Sequence, residues 1–445
     1  MDKNQLLKKI RDAGVIGAGG AGFPAYKKLD ARVDHIIANG AECEPLLYKD
    51  RETMIQAKEE LFAGLEIMQN ITGAKQVTIA LKEKNRDVVK GFNEFITRYG
   101  FNTFINRDVY PAGDEYVLVY EITGKRIPPG GIPLQVGCVV NNTETIVNIA
   151  RAVKDIPVTA KFITITGAVK NPLTTIVPVG ISFDDCIQIA GGLTTEHPAV
   201  LTGGAMMGGV EFDLSLPITK TTGGLIILPD DHYLVKKKTA PQETYARIGH
   251  GQCDQCSMCT ELCPRYLLGY PIEPHKVMRS LQMTGKAKER VSLWAQYCCE
   301  CNICTFIACP EGLDPKSICV DAKKLLKENN LSRTEEELES LFHPVHPSRQ
   351  AREVPIATVY QRLGLKAYDR HAPFVENHFM PEQVNISLNY HVGTPAVPVV
   401  KTGDRVKKGR VIGIVPEDQL GCPVHASIDG AVTRIDEREI QIKAN

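Results

Sequence analysis

Two runs of cysteine constrain this chain more than any other feature of it. The first is Cys253-x2-Cys256-x2-Cys259-x3-Cys263-Pro264. The second, after the 34 residues Pro264–Tyr297, is Cys298-x2-Cys301-x2-Cys304-x4-Cys309-Pro310, with Cys299 as an additional thiol. Three thiolates on a tight loop take three corners of a [4Fe–4S] cubane, and a fourth Cys placed before Pro ligates the other cluster. The spacing therefore predicts Cys253, Cys256, Cys259 and Cys309 for one cluster, and Cys298, Cys301, Cys304 and Cys263 for the other. The second run has one residue more than usual before its last Cys. Structural zinc prefers two CxxC pairs at longer separation, so two complete four-Cys runs argue against it. Nine of the 14 cysteines fall within these runs. Cys43, Cys138, Cys186, Cys319 and Cys422 are isolated and read as buried apolar thiols.

Composition narrows the setting. At 445 residues the chain exceeds what one core supports, which implies several domains. Lys+Arg equals Asp+Glu at 52 each, so no basic face for nucleic acid is expected. No stretch approaches the roughly 20 apolar residues of a membrane span. The start, MDKNQLLKKIRDAG, lacks the features of a signal peptide, so a cytoplasmic protein is expected. Its weak amphipathic character fits a first helix, with a targeting helix as the alternative.

Strand-like runs (HIIANG, QVTIAL, GCVVNN) alternate with helical stretches up to about 155, which reads as a layered α/β domain. A small α+β module, a helical cysteine-rich region, a Pro/His-rich linker and an all-β tail follow. Gly17-Ala18-Gly19-Gly20-Ala21-Gly22-Phe23-Pro24 opens a helix running on through Lys28, a place where backbone N–H groups can approach a phosphate. Alone, such a loop is as often a tight turn. Further on stand Asn39-Gly40-Ala41-Glu42-Cys43-Glu44-Pro45, Lys49-Asp50-Arg51, Gly113-Asp114-Glu115 and Asn141-Asn142-Thr143-Glu144.

In this order the elements resemble the flavin- and NADH-binding subunit of respiratory complex I and its relatives, among them the RnfC proteins of Rnf complexes. The resemblance implies a multidomain α/β and α+β architecture. A Rossmann-like FMN domain would occupy 1–157, an SLBB β-grasp domain 158–237 and an α-helical dicluster ferredoxin-like domain 238–342. A linker, 343–384, would lead to a barrel-sandwich hybrid domain at 385–445. It also implies that Gly17, Gly19, Gly20, Gly22 and Lys28 line the FMN phosphate and ribityl side, with Asn39, Glu42, Glu44, Asn141 and Asn142 beside the flavin. Phe23 would meet the nicotinamide nucleotide. Ala18 departs from the family, which carries Arg there.

In the module, Met206-Met207 is expected to pack rather than bind. The tail turn His425-Ala426-Ser427-Ile428-Asp429-Gly430 lacks the Lys of biotinyl and lipoyl carriers, so docking is expected there. His391 and His425 read as structural. RnfC proteins place the hybrid domain first, whereas here it follows the clusters. That order is similar to the cobalamin reductases of propanediol-utilisation microcompartments. The resemblance implies an NADH-dependent reductase with FMN and two [4Fe–4S] clusters, and a corrinoid or adenosyltransferase partner. Shell proteins and residence inside a microcompartment are implied as well. No catalytic acid–base dyad stands out. The alternatives are a peripheral subunit of an Rnf-type ferredoxin:NAD complex and a non-catalytic electron-transfer adaptor.

Overall fold

The computed structural model describes residues 1–445. Its first layer is a parallel sheet of β1 (His35–Gly40), β2 (Gln76–Lys82), β3 (Asn102–Asn106) and, beyond the short β4 (Val109–Tyr110), β5 (Cys138–Asn142). The order is β3-β2-β1-β5. β1 and β2 are buried along nearly their whole length, as their apolar runs demand of a sheet covered on both faces. Helices Lys58–Thr72 and Thr143–Val153 pack together on it. The first helix, Lys3–Asp12, begins with a reciprocal cap: Asp2 accepts from the Gln5 N–H, and the Gln5 side chain accepts from the Asp2 N–H. Its apolar face, Leu6, Leu7 and Ile10, is buried in the same core.

The following module is a five-stranded sheet of β6 (Ala160–Gly167), β7 (Leu173–Pro178), β8 (Pro198–Thr202), β9 (Gly209–Glu211) and β10 (Gly224–Pro229), ordered β7-β6-β10-β8-β9. A helix, Phe183–Ile189, is capped by Ser182 and buries Phe183, Cys186 and Ile187 against it. Residues 242–328 form short helices around the cysteine runs.

The segment expected to be a plain linker is instead a structured strap. β11 (Val354–Pro355) pairs antiparallel with β4, and helix Ile356–Arg362 packs against the turn after Cys304. Its apolar residues Val354, Ile356, Val359, Leu363 and Leu365 explain the difference, since they bury in one core with Phe306 and Ile307. The tail makes two sheets around Ile386, Ile412, Ile440 and Ile442. One contains β12 (Gln383–Ser387), β14 (Arg405–Val406), β17 (Gly430–Ile435) and β18 (Glu439–Ala444). The other contains β13 (Val397–Pro398), β15 (Val411–Ile414) and β16 (Val424–His425). His391 and His425 are buried there; His391 Nε2 accepts from the Cys422 N–H at 3.0 Å.

Candidate functional site

A cleft of about 940 Å³ opens beyond the carboxyl ends of β1 and β5, where ligands of parallel sheets commonly bind. Gly19 and Gly20 form one wall, and Thr219 and Thr221 of the module form another. Asn39, Glu42, Glu44 and Asn142 also line it, and Cys299 and Cys301 close the far end. Gly20 has φ +114°, and nothing lies within 4 Å of where its Cβ would stand, so this loop offers bare backbone to an occupant. The loop is closed on itself by Gly17 N–H to Phe23 O (2.9 Å) and Gly22 N–H to Gly17 O (3.3 Å).

The floor of the cleft is charged. Lys49 Nζ lies 2.5 Å from Asp50 and 3.5 Å from Glu144, and Lys161 pairs with Glu144 from the far side. Asn142 Nδ2 donates to Asp50 at 2.9 Å, while its Oδ1 caps helix Thr143–Val153 through the Glu144 N–H. Burial, aided by the neighbouring Asp50 charge, pushes Glu42 up to about 7. Burial likewise pulls Lys161 down to about 8, against the attraction of Glu144. Lys49 goes the other way: burial disfavours its charge, but Asp50, Glu144 and Glu42 together hold it above the usual lysine value.

Not every expected residue reaches the cleft. Gly17 and Gly22 shape the loop from behind, and Phe23 is half-buried outside the lining. Lys28 is tied to Val140 O (2.6 Å) and Glu115 (3.2 Å). Asn141 points opposite to Asn142, as strand pleating requires, and approaches Met68 Sδ at 3.8 Å. Glu44 touches the cleft, but its carboxylate accepts the Met206 and Met207 N–H groups at 2.7 and 2.8 Å, fastening the module to the flavin-side domain. Met206 is buried as expected, whereas Met207 is exposed and borders the cleft. Cys43 also lines the cleft and is only half-buried, unlike the apolar thiol expected there. Four further residues of the site, Lys49, Asp50, Glu144 and Lys161, are not among those the sequence singles out. The first three lie in quoted motifs, but nothing local marks Lys161.

The thiols fall into two sets. Cys253, Cys256, Cys259 and Cys309 surround one void, and Cys263, Cys298, Cys301 and Cys304 another, which Cys299 also borders. All are free thiols, and no three such side chains converge on a single-ion position. The two CxxC loops repeat one backbone device: Gln255 and Ser257 have φ of 60° and 63°, and their counterparts Glu300 and Asn302 have 59° and 66°. Such left-handed residues turn successive N–H groups inward around an anion. Glu300 N–H to Cys298 Sγ (3.4 Å) and Leu313 N–H to Cys309 Sγ (3.3 Å) are of this kind. The additional residue before Cys309 is absorbed by a wide i→i+5 turn over Cys304–Ala308. Thiol chemistry, spread and inward N–H groups fit iron–sulfur cubanes; the bare glycine backbone and the cleft's size fit a flavin nucleotide.

Comparisons with known proteins agree with this geometry. Residues 10–151 match the Nuo51 FMN-binding domain family, 162–209 the SLBB domain, 252–314 the 4Fe-4S dicluster domain and 365–445 the RnfC barrel sandwich hybrid domain. Together they define an iron–sulfur flavoprotein oxidoreductase that uses FMN. Cobalamin reductase PduS of Salmonella typhimurium is 40% identical over 99% of this chain and 97% of its own length; that of Citrobacter freundii is 39% identical over 99% and 97%. The chain belongs to the PduS family. A more distant relative is the RnfC-type component of the proton-translocating ferredoxin:NAD(+) oxidoreductase complex of Clostridium ljungdahlii, 32% identical over 59% of this chain and 56% of that protein. An air-oxidized NAD+-reducing [NiFe]-hydrogenase structure shares the fold, with a TM-score of 0.50 and 20% identity over 82% of this chain and 66% of that one. No helix is long and apolar enough to cross a membrane.

Proposed function

We propose that this protein passes electrons from NADH, through FMN in the cleft and two [4Fe–4S] clusters, to a corrinoid. The observation that carries the reading is the cleft itself, which joins the glycine loop at one end to Cys299 and Cys301 at the other. FMN, when bound, takes the two electrons of a hydride together and returns them singly, and the clusters carry one electron at a time.

The chain's own residues divide the remaining work. The Gly19–Gly20 backbone would hold the phosphate end, while Asn39 and Asn142 offer amides to the flavin. Lys49 and Asp50, held by Glu144, keep the floor rigid and close to neutral. Glu42 is a proton acceptor poised near neutrality at the flavin's edge. Gly17, Gly22, Phe23 and Lys28 hold the loop in shape, Asn141 braces the sheet behind Asn142, and Glu44 fixes the module that walls the cleft. Cys253, Cys256, Cys259 and Cys309 would ligate one cluster, and Cys263, Cys298, Cys301 and Cys304 the other.

The corrinoid acceptor rests on the name of the two relatives matched over almost their whole length. Residence in a microcompartment rests on the same resemblance. A shell contact would not use the apolar face of the first helix, since Leu6, Leu7 and Ile10 are buried in this domain.

The test is an anaerobic iron, sulfide and flavin count, followed by NADH titration monitored by absorbance and EPR, and then addition of cob(III)alamin. Two distinct reduced-cluster signals and corrinoid reduction are expected. Flavin and cluster absorbance that NADH leaves unbleached would sink the proposal.

A further inference from the structure

The two thiol sets sit in opposite electrostatic surroundings. The void of the Cys253 set is bordered by Asp254 and Glu311 and by no Lys or Arg. The void of the Cys263 set is bordered by Lys316, and Lys323 Nζ reaches the Cys298 carbonyl at 3.1 Å. The strongest asymmetry is Arg265, two residues after Cys263. It is 8% exposed, its guanidinium stacks 3.5 Å over the Tyr116 ring, and one amino group donates to Asp114 Oδ2 at 2.8 Å. Its Nε has no partner. Asp114 borders the flavin cleft, as do Cys299 and Cys301. Arg265 thus stands between the cleft and the thiol set nearest to it.

We propose that Arg265 is a positioning residue for electron flow: a fixed cation that raises the reduction potential of the cluster in the Cys263 set. This rests on the functional reading above. Reduction adds one electron, and so one negative charge, to a cubane held by four thiolates, with no proton moved. Burial opposes that added charge. A guanidinium stays protonated at any working pH and attracts it, more strongly in a poorly hydrated interior than in water. Tyr116 fixes the plane of that cation, and Asp114 offsets part of its charge. The cluster beside the flavin would then fill first, and the Cys253 set, with Cys256 exposed and acidic neighbours, would be the lower-potential exit.

The experiment is an EPR-monitored redox titration of the anaerobically reconstituted full chain, as wild type, Arg265→Gln, Arg265→Lys and Asp114→Asn. With Arg265→Gln, the reduced-to-oxidised ratio of one cluster at fixed potential should fall about tenfold, which for a one-electron couple is ~59 mV. The other cluster should not move. Arg265→Lys should restore most of the shift. Asp114→Asn keeps a side-chain oxygen for the helix cap but unmasks the cation, so it should move the same signal upward. Opposite signs are what mere structural damage would not produce. If Arg265→Gln fails to hold the cluster, the Asp114→Asn shift still decides. Two midpoints that stay put, move together, or respond to both changes in one direction would overturn the proposal. A wild type without two clusters would instead overturn the functional reading.

Discussion

At the scale of single residues, the exchange of fourth ligands is open to direct measurement. Cys309 stands with the three thiols of the first loop and Cys263 with those of the second, although each is nearer in sequence to the other set. Cys309→Ser and Cys256→Ser should therefore abolish the same EPR signal, while Cys263→Ser should abolish the one lost with Cys301→Ser. In each case iron should fall from about eight to about four per chain, the loss of one cubane. Pairing of Cys263→Ser with Cys256→Ser instead would show that each run closes its own site. Glu42 gives a second residue-level test. Its folded-state pKa, about 7, lies above the ordinary carboxylate value because of burial and the Asp50 charge. Such a group favours the folded state fully below its unfolded pKa, and that contribution is lost as pH rises through about 7. Flavin-free wild type should thus lose stability between pH 5 and 8 relative to Glu42→Gln. The difference should be about 1–2 kcal/mol once solvent access is allowed for. Thermal unfolding at the two pH values measures it; parallel curves would remove Glu42 from the account.

At the scale of elements, what the sequence disclosed depended on how local the governing physics is. The cysteine loops were legible because ligation is written in spacings of two or three residues. The parallel sheet was legible because strands covered on both faces read as apolar runs. The strap at 354–365 was not, because Pro, His and Arg around it mimic a linker, and its apolar residues find their partners only across the fold at Phe306 and Ile307. Likewise, no pattern near Glu44 announces that its carboxylate captures a loop 162 residues away. That loop is the joint of three parts: Asn302 Nδ2 and Lys238 Nζ also donate to the Met206 carbonyl, at 2.6 and 2.9 Å. Glu44→Ala would leave the Met206 and Met207 N–H groups without their acceptor, one of them buried. The expected cost is ~1–3 kcal/mol, with Glu44→Gln milder because it keeps one acceptor oxygen. Denaturant unfolding gives the energy, and hydrogen exchange at 203–209 shows whether this joint is what loosened. Unchanged exchange there would assign the loss elsewhere.

Across the whole molecule, the tail domain lies last in the chain but closes the first loop from behind. Val392 N–H donates to Gly22 O at 3.0 Å, Cys422 Sγ reaches Val15 O at 3.7 Å, and Arg11 donates to the carbonyls of Val415 and Pro416. From the module, Lys220 Nζ donates to Gly14 O at 2.8 Å. The glycine loop is therefore held between two domains that never enter the cleft at this point, which sets the tail's role in flavin binding as mechanical. Gly22 is the contact where this can be tested. Its φ is +65°, and a Cβ there would lie 2.9 Å from the Tyr390 carbonyl and 3.2 Å from the Thr221 methyl. Gly22→Ala must strain the backbone or push the tail away, and either movement disturbs the N–H groups of Gly19 and Gly20 without touching a thiol. FMN affinity should fall about tenfold, ~1.4 kcal/mol, while iron and sulfide stay at the wild-type count. Loss of iron along with flavin would mean that the loop supports the whole fold. Unchanged FMN affinity would mean that the tail can detach without the cleft noticing, and that its contact with the glycine loop serves some other end.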